Sequence, residues 1–321
     1  MYGIFYKDVQ EAYGRIKGHV RTTPLEESFF LGNDAQRYFF KLESFQKVKS
    51  FKIRGALNKM MTLTDEEKAY GIAAVSSGNH GSSVSYAASL LGIKNAKIIV
   101  PHNTPKSKTY KIAYFGSEIL LMGNNYDEVH KQGMEYIKAN GLTNIDSYYD
   151  DPKVYAGNGT VAIEILEQNP DIDTIVVPIG GGGLITGIAV AAKAIKPDIR
   201  IIGVQTEACP AMIASYKDGI FYEEYPTEES LCESLVGGIG KLSYEMAKDY
   251  VDDFIVVKEE TIARAVSFMA KEEKYIVEAG SCTTVAAIME HRERIGGQNV
   301  ALVLSGGNID GTLLADLLNK Y

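Results

Sequence analysis

A lysine stands between two bulky apolar residues in the stretch Ser50-Phe51-Lys52-Ile53-Arg54. An ammonium group is costly to bury, so lysine is rare among apolar side chains unless its amine has a function. Burial would disfavour the charged form and make the amine a better nucleophile. An amphipathic helix that begins here, with Lys52 and Arg54 reaching solvent, is the simpler interpretation of this window alone.

A second pattern, Ser76-Ser77-Gly78-Asn79-His80, directly follows a predicted strand and opens a predicted helix. Small and hydroxyl residues at such a junction leave backbone N–H groups free to bind an anion. Plain N-capping of the helix by Ser76 or Ser77 accounts for the pattern equally well. A single histidine is more often packed or hydrogen-bonded than catalytic.

Four consecutive glycines, Gly180 to Gly183, lie between a predicted strand and a helix that begins near Leu184. Glycine loses much conformational entropy on ordering, so an ordered run indicates a backbone that approaches another group closely. A phosphate fits because successive N–H groups and the helix dipole favour an anion, whereas a flexible hinge is the alternative. The dinucleotide pattern GxGxxG fails at Ile185, and the P-loop pattern fails at Leu242.

A third loop, Ser305-Gly306-Gly307-Asn308, again lies at the end of a predicted strand, where a tight turn is the simpler interpretation. Near-continuous apolar strands joined by helices indicate parallel sheets covered on both faces. The predicted strands are 72–75, 97–100, 118–122, 174–178, 200–204 and 299–304. The predicted helices are 79–91, 107–114, 127–139, 152–167, 184–195 and 311–318, with two more near Thr261 and Thr283. This alternation predicts two α/β lobes with a ligand in the crevice beyond the strand ends.

The composition narrows the class of protein. The chain has 321 residues, of which 45% are hydrophobic and 23% charged, as in an ordinary globular protein. Its net charge of −8 argues against nucleic acid as a partner. The N-terminus does not resemble a signal peptide, and no apolar run approaches the roughly 18 residues of a membrane span. We therefore expect a soluble protein without a membrane partner.

The three cysteines, Cys209, Cys232 and Cys282, form neither a CxxC pair nor a disulfide framework. We expect reduced, buried thiols in a cytoplasmic protein.

In this order, the motifs SFKIRGALNKM, SSGNHGSS, PIGGGGLITG and VLSGGN resemble the β-family of pyridoxal phosphate enzymes, also called fold type II. The likeness is greatest to serine and threonine dehydratases and serine racemases, and it covers essentially the whole chain. It implies an α/β fold of two interlocked lobes, each an open, mostly parallel twisted sheet flanked by helices, as in tryptophan synthase β. Residues 1–66 and 147–321 would form a large cofactor-binding domain, and residues 67–146 a small substrate-clamping domain.

The resemblance implies pyridoxal 5'-phosphate as the cofactor, held by Lys52 as a Schiff base. Gly180, Gly181, Gly182 and Gly183, with Leu184, would hold the cofactor phosphate, and Phe51 would pack against the cofactor. After the substrate displaces it, Lys52 would remove the α-proton.

Three further residues would contact the cofactor ring. Asn79 would hydrogen-bond the phenolic oxygen, Glu278 would lie near the ring, and Ser305 would face the pyridine nitrogen. A hydroxyl does not hold that nitrogen protonated as a carboxylate does, so the ring is a weaker electron sink. A serine at this position therefore favours prompt β-elimination over transamination.

The substrate carboxylate would be clamped by the loop Ser76, Ser77, Gly78, Asn79 and His80. Ser77 matches the position that serves serine racemases as the acid or base on the face opposite the lysine. The segment Tyr148-Tyr149-Asp150-Asp151-Pro152, together with Glu278, agrees better with a catabolic threonine dehydratase.

Several segments depart from the family pattern. Val48-Lys49 stands where the family usually has Thr-Gly, Ser82-Ser83 replaces a common glutamine, and Glu233-Ser234 replaces a common Asp-Gly. These departures leave the preferred substrate open. Gln205 and Ala211 stand where mammalian-type serine racemases carry acidic metal ligands, so we predict no such metal site.

The chain ends at Tyr321, directly after the last predicted helix. We therefore expect no C-terminal regulatory domain and no feedback control by isoleucine. We also expect a homodimer, because closed two-fold symmetry is the commonest arrangement.

The function implied is that of a dehydratase, or ammonia-lyase, which β-eliminates water from L-threonine, L-serine or a related β-hydroxy amino acid. Serine racemisation, alone or as a second activity, is the first alternative. β-Replacement at sulfur is another, although relatives with that activity usually carry threonine at the position of His80. A non-catalytic nucleotide-binding regulatory protein would explain the glycine loop but would leave Lys52 and Ser305 unexplained.

Overall fold

The computed structural model describes residues 3–147 and 149–321. Tyr148, which begins the segment that favoured a threonine dehydratase, lies outside the described residues. Over the described ranges, the helices are α1 Tyr6–Ile16, α2 Lys52–Met61, α3 Asp65–Tyr70, α4 Asn79–Leu91, α5 Lys106–Tyr114, α6 Tyr126–Ala139, α7 Pro152–Gln168, α8 Gly183–Ile195, α9 Ala211–Asp218, α10 Lys241–Tyr250, α11 Glu259–Lys271, α12 Ala279–Ile295 and α13 Gly311–Lys320.

The strands are short and mostly buried. They are β1 Leu25–Glu27, β2 Arg37–Leu42, β3 Ile72–Val75, β4 Ala96–Val100, β5 Glu118–Leu121, β6 Thr143–Asn144, β7 Thr174–Pro178, β8 Arg200–Thr206, β9 Asp253–Val257 and β10 Asn299–Leu304. A 3₁₀ turn spans Glu43–Phe45. Each strand predicted from the sequence is present, with ends that differ by at most two residues.

Within the described residues the strands form two sheets. The larger sheet has the order β1-β2-β10-β7-β8-β9, and only its edge strand β1 is antiparallel to its neighbour. The smaller sheet, β5-β4-β3-β6, is parallel throughout. The predicted fold class, two mostly parallel sheets flanked by helices, is therefore confirmed. The predicted domain boundaries stay a prediction.

Close backbone contacts between glycines stack three helices of the larger lobe. A methyl group on Gly157 of α7 would lie 2.8 Å from the Cα of Gly55 in α2, and one on Gly159 would lie 2.6 Å from the carbonyl oxygen of Gly187 in α8. Side chains at these positions would push the helices apart. The glycines thus let α7 pack tightly against both α2 and α8, whose N-termini carry Lys52 and the end of the four-glycine run.

Four charged side chains form a fully buried cluster between β2, α2 and α7. The Arg54 guanidinium donates to Glu43 at 2.8 Å and to Glu164 at 2.7 Å, and Lys41 Nζ donates to the same Glu164 at 2.7 Å. Each side chain is at most 1% exposed. The interpretation in which Arg54 reaches solvent is wrong, because two carboxylates on distant elements pair with its guanidinium.

Lys49 has a left-handed backbone, with φ at 63°. A side chain on a left-handed residue destabilises the folded state by about 1 to 2 kcal/mol. A glycine avoids this strain but stabilises the unfolded chain by about 0.4 to 1 kcal/mol, because it has more conformational freedom there. We expect Lys49→Gly to raise the free energy of unfolding by about 0.5 to 1 kcal/mol, measured by denaturant titration. Lys47→Gly is the matched control and should lower it, since Lys47 is also exposed but lacks a positive φ. Equal losses in both variants would contradict the strain argument.

No helix in the described ranges is long and apolar enough to cross a membrane. The three cysteines are free and buried, as expected.

Candidate active site

The site lies where the loop after β10 meets the start of α2. The backbone N–H of Phe51 donates to the carbonyl oxygen of Ser305 at 3.0 Å, and Ser50 forms a bridge with Gly306. These contacts bring Lys52, the first residue of α2, beside the end of the larger sheet. Two motifs that lie about 250 residues apart in the sequence are thereby neighbours.

The Lys52 side chain is half-buried and does not extend into open solvent. Its Nζ lies 5.4 Å from the centre of the Phe51 ring and donates to the carbonyl oxygen of Ser147 at 3.3 Å. Burial lowers the pKa of Lys52 to about 8, although the charges of Asp146 and Glu278 oppose this shift. A substantial fraction of the amine is therefore neutral, and nucleophilic, in mildly alkaline solution.

His80 is buried close to Lys52. Its Nε2 lies 2.7 Å from the carbonyl oxygen of Ile145, and a carbonyl only accepts, so Nε2 carries a proton. Burial first, and the Lys52 charge second, lower the pKa of His80 to about 4. At neutral pH the imidazole is thus uncharged with Nδ1 unprotonated, and this buried Nδ1 has no hydrogen-bond partner within the described residues.

Asn79 and Glu278 meet across the two lobes. Asn79 Nδ2 donates to both oxygens of the Glu278 carboxylate, at 2.9 and 3.1 Å. Glu278 also accepts from Ser234 Oγ at 3.1 Å and from the backbone N–H of Asn308 at 3.2 Å. Burial raises the pKa of Glu278, and these donors oppose that shift. The structure therefore brings together two residues predicted to contact the cofactor ring.

The four-glycine run forms a tight cradle at the N-terminus of α8. Gly182 has φ at 89°, and a methyl group on it would lie 2.5 Å from Ser243 Oγ. The carbonyl oxygen of Gly181 accepts from the backbone N–H of Gly240 at 2.8 Å, which fixes the loop, and Leu184 is buried behind it. The first N–H groups of α8 have no intrahelical partner, as at any helix start, so an anion is favoured here.

Ser305 is buried at the end of β10, where Ser281 is its neighbour. Ser281 Oγ donates to the carbonyl oxygen of Gly306 at 2.8 Å and accepts from the N–H of the same residue at 2.7 Å. Because that hydroxyl has only one proton, Ser281 Oγ can only accept from Ser305 across 3.1 Å, and the Ser305 hydroxyl is free to rotate and donate to another acceptor instead. Sequence analysis missed Ser281, whose only local signal is its position near the start of a helix.

Gln205 has a structural role at the end of β8. Its Oε1 accepts from the backbone N–H groups of Met212 and Ile213, at 3.0 and 3.1 Å, and so caps the start of α9. Across residues 3–147 and 149–321, no group of three or more His, Cys, Asp or Glu side chains is placed to hold a metal ion.

The comparisons with known proteins agree with this geometry. The model of the pyridoxal-phosphate dependent enzyme family matches residues 16–306. This chain belongs to that family. The L-threonine ammonia-lyase of Thermotoga maritima is 39% identical over 319 residues, which are 99% of this chain and 79% of that protein.

Two further relatives show the same breadth of similarity. The catabolic L-threonine dehydratase of Staphylococcus aureus is 39% identical over 97% of this chain and 91% of its own length. The structure of maize serine racemase superposes with a TM-score of 0.90 at 34% identity, covering 99% of this chain and 98% of that chain. The predicted resemblance to the dehydratase and racemase group is confirmed.

Members of the pyridoxal-phosphate dependent enzyme family use pyridoxal 5'-phosphate, and the residues present here fit that cofactor. A half-buried amine with a lowered pKa suits covalent attachment. The glycine cradle suits a phosphate because the first N–H groups of α8 lack intrahelical partners, and a side chain at Gly182 would clash with Ser243. Asn158 Nδ2 also lies beside this cradle, 3.6 Å from a methyl group placed on Gly183, and an amide N–H can donate to a phosphate. The predicted cofactor is therefore confirmed, and the roles of the individual residues stay predictions.

Proposed function

We propose that this chain is an ammonia-lyase that eliminates water from L-threonine, L-serine or a related β-hydroxy amino acid, releasing a 2-oxo acid and ammonia. The observation that carries the proposal is the Lys52 amine, half-buried and with its pKa lowered to about 8, at the junction with the Ser305 loop. The curated relatives named above, at 39% identity, are an L-threonine ammonia-lyase and an L-threonine dehydratase.

Pyridoxal phosphate, when bound, supplies the electron sink that makes loss of the substrate α-proton feasible. Lys52 holds the cofactor and, once released by the substrate amine, takes that proton at Nζ. Phe51 shields the amine on one side. The carbonyl oxygen of Ser147 accepts from it on another side, and His80 anchors the same segment through the carbonyl oxygen of Ile145.

The loop from Ser76 to His80 binds the substrate carboxylate through its N–H groups and hydroxyls. Ser76 Oγ accepts from the N–H of Gly78 at 3.3 Å, which shapes the loop before α4 begins. The imidazole of His80 is uncharged at neutral pH, so burial, and not a neighbouring cation, is the main cause of the lowered pKa of Lys52.

Ser305 and Glu278 set the electronic character of the ring. A hydroxyl at the pyridine nitrogen would leave that nitrogen unprotonated, so the bound ring would be a weaker electron sink and would favour elimination over transamination. Glu278 is buried and held by three donors, and it orients Asn79 towards the ring.

The activity is tested by measuring 2-oxo acid and ammonia from L-threonine, L-serine, their D-enantiomers and 3-hydroxyaspartate. We expect equal amounts of both products from at least one L-substrate, with visible absorbance from lysine-bound cofactor. A colourless protein that releases no 2-oxo acid from any of them and binds ATP or NAD would overturn the proposal in favour of the nucleotide-binding alternative.

The pKa of Lys52 gives the rate of cofactor uptake a defined pH dependence. Only the neutral amine attacks the cofactor aldehyde, so the rate of covalent attachment to the apoprotein should rise with pH, with a midpoint at about pH 8. Stopped-flow absorbance at a series of pH values measures this rate. A midpoint near 10.5, the ordinary value for lysine, would show that the site does not lower the pKa of the amine.

Serine racemisation is the second candidate, favoured by the likeness to maize serine racemase and by the half-buried position of Ser77 at the start of the loop. If Ser77 acts as the acid or base opposite Lys52, Ser77→Ala should slow interconversion of serine enantiomers about 100-fold or more while sparing most elimination from the L-substrate. Chiral chromatography and 2-oxo acid release measure the two activities.

Ser76→Ala is the matched control, because it removes a hydroxyl one residue earlier, which shapes the carboxylate-binding loop but is not proposed as an acid or base. It should change both activities by similar factors. A parallel fall of both activities in Ser77→Ala would mean that Ser77 chiefly binds the carboxylate.

We further propose a homodimer in the cytoplasm. Three free, buried thiols support a reducing compartment. Cyclic two-fold symmetry is the commonest arrangement of soluble oligomers, which supports a dimer. Sedimentation velocity would test the dimer.

A further inference from the structure

Lys111 connects α5, which packs beside the smaller sheet, with the site on the larger lobe. Its Nζ donates to Asn308 Oδ1. Asn308 Nδ2 in turn donates to Asn79 Oδ1 at 2.6 Å and to the carbonyl oxygen of Val48 at 3.0 Å. A continuous chain of hydrogen bonds therefore runs from a lysine ammonium to the amide that faces Glu278.

Each hydrogen bond in this series fixes the orientation of the next side chain. An ammonium only donates, so the oxygen of the Asn308 amide must face Lys111 and its nitrogen must face Asn79. That nitrogen only donates, so Asn79 must present Oδ1 to it and Nδ2 to the opposite side. Without Lys111, the Asn308 amide would lose the contact that fixes its oxygen and would be held in this orientation through Nδ2 alone.

The charges around Lys111 support a role beyond surface solubility. Lys111 is half-buried, and burial lowers its pKa, with Lys49 acting in the same direction and Glu278 against it. In return, the Lys111 charge helps to lower the pKa of Glu278, which burial raises. An ionised Glu278 accepts from Asn79 Nδ2, whereas a protonated one could also donate. Lys111 therefore affects both partners of the Asn79 amide, Asn308 through a hydrogen bond and Glu278 through its charge.

We propose that Lys111 is a positioning residue which, through Asn308, holds the Asn79 amide with Nδ2 on the side of Glu278, so that one of its two N–H groups can donate to the phenolic oxygen of the cofactor. This inference rests on the proposed function, since it places that oxygen beside Asn79. An N–H donor at the phenolic oxygen stabilises its anionic form. Lys111 therefore tunes the bound cofactor without touching it.

The test compares Lys111→Met, which keeps the length of the side chain but cannot donate, with Lys111→Arg, which can. The pH midpoint of the absorbance of bound cofactor should rise by about one unit in Lys111→Met, because the anionic oxygen loses support. The dissociation constant of the cofactor should rise about tenfold, the loss expected for one hydrogen bond to a charged group. In Lys111→Arg, both the midpoint and the dissociation constant should stay close to the values of the wild type.

Lys108→Met is the matched control on the same helix. Lys108 also reaches the larger lobe, but it forms a 2.7 Å ion pair with exposed Glu233 on the surface. Its loss should leave the midpoint unchanged. If Lys111→Met does not fold, Asn308→Asp provides the second variant, because aspartate still accepts from Lys111 but cannot donate to Asn79. It should raise the midpoint as well.

The outcomes separate this inference from the proposed function. Wild-type protein that binds no cofactor would overturn both. Wild-type protein that binds cofactor through Lys52, with an unchanged midpoint in Lys111→Met or in Asn308→Asp, would overturn the role of Lys111 alone. An equal shift in Lys108→Met would assign the effect to contact between the lobes and would also overturn it.

Discussion

Lys52→Ala is expected to abolish 2-oxo acid release and to remove the visible absorbance of lysine-bound cofactor. Loss of a general base alone slows a reaction by about 10² to 10⁴, and the variant also loses the covalent attachment of the cofactor. The fold should remain, because alanine favours a helix start and relieves the burial of an amine. Absorbance spectra and product assays on the same preparation measure the two losses.

Lys59→Ala is the control on the same helix, since Lys59 forms a 2.7 Å ion pair with Asp151 away from the amine. It should retain turnover. Substantial 2-oxo acid release by Lys52→Ala would show that another group carries the cofactor.

Arg54→Met is expected to lower the free energy of unfolding by about 3 to 5 kcal/mol, the loss typical of removing one partner from a buried ion pair. Burial would raise the pKa of Glu43, but Arg54 and Lys41 hold that pKa below its usual value, so the carboxylate is ionised. Without the guanidinium, Glu43 and Glu164 would face each other with Lys41 as their remaining buried cation. Denaturant titration measures the loss.

Arg37→Met is the matched control, because Arg37 pairs with Glu27 at 2.5 Å but both side chains are about half exposed. A surface pair of this kind is worth about 0 to 1 kcal/mol. Similar small losses in both variants would mean that the buried cluster does not stabilise the fold. Since α2 carries both Arg54 and Lys52, cofactor uptake should also weaken in Arg54→Met.

The parts of the fold that the sequence predicts well are those with continuous local patterns. Strands such as β7 and β10 are apolar runs buried along their whole length, and helices α4 and α8 begin directly after loops rich in small residues. These features depend on neighbours within about ten residues. Their bounds are therefore readable from a single sequence.

The parts that the sequence does not reveal depend on distant partners. Strand β2 contains Lys41 in its buried segment, and that charge is tolerated only because Glu164, 123 residues away, pairs with it. For the same reason Ser281 and Lys111 were missing from the predicted site. Neither belongs to a motif, and each acquires a role only when tertiary packing brings it to Ser305 or Asn308.

The site also shows why a local preference can mislead. Lysine is usually exposed, and the start of α2 alone is consistent with an ordinary amphipathic helix. The burial of Lys52 comes from the Phe51 ring and from residues 145–147, a segment nearly one hundred residues further along the chain. Only the joint presence of the four motifs makes that burial predictable.

Every residue role proposed for this site depends on the covalent attachment of pyridoxal phosphate to Lys52. The decisive measurement is borohydride reduction of the cofactor-loaded protein, followed by mass spectrometry of its peptides. We predict one pyridoxyl group per chain, on the peptide that contains Lys52. A pyridoxyl group on another lysine, or its absence from a yellow protein, would contradict the account.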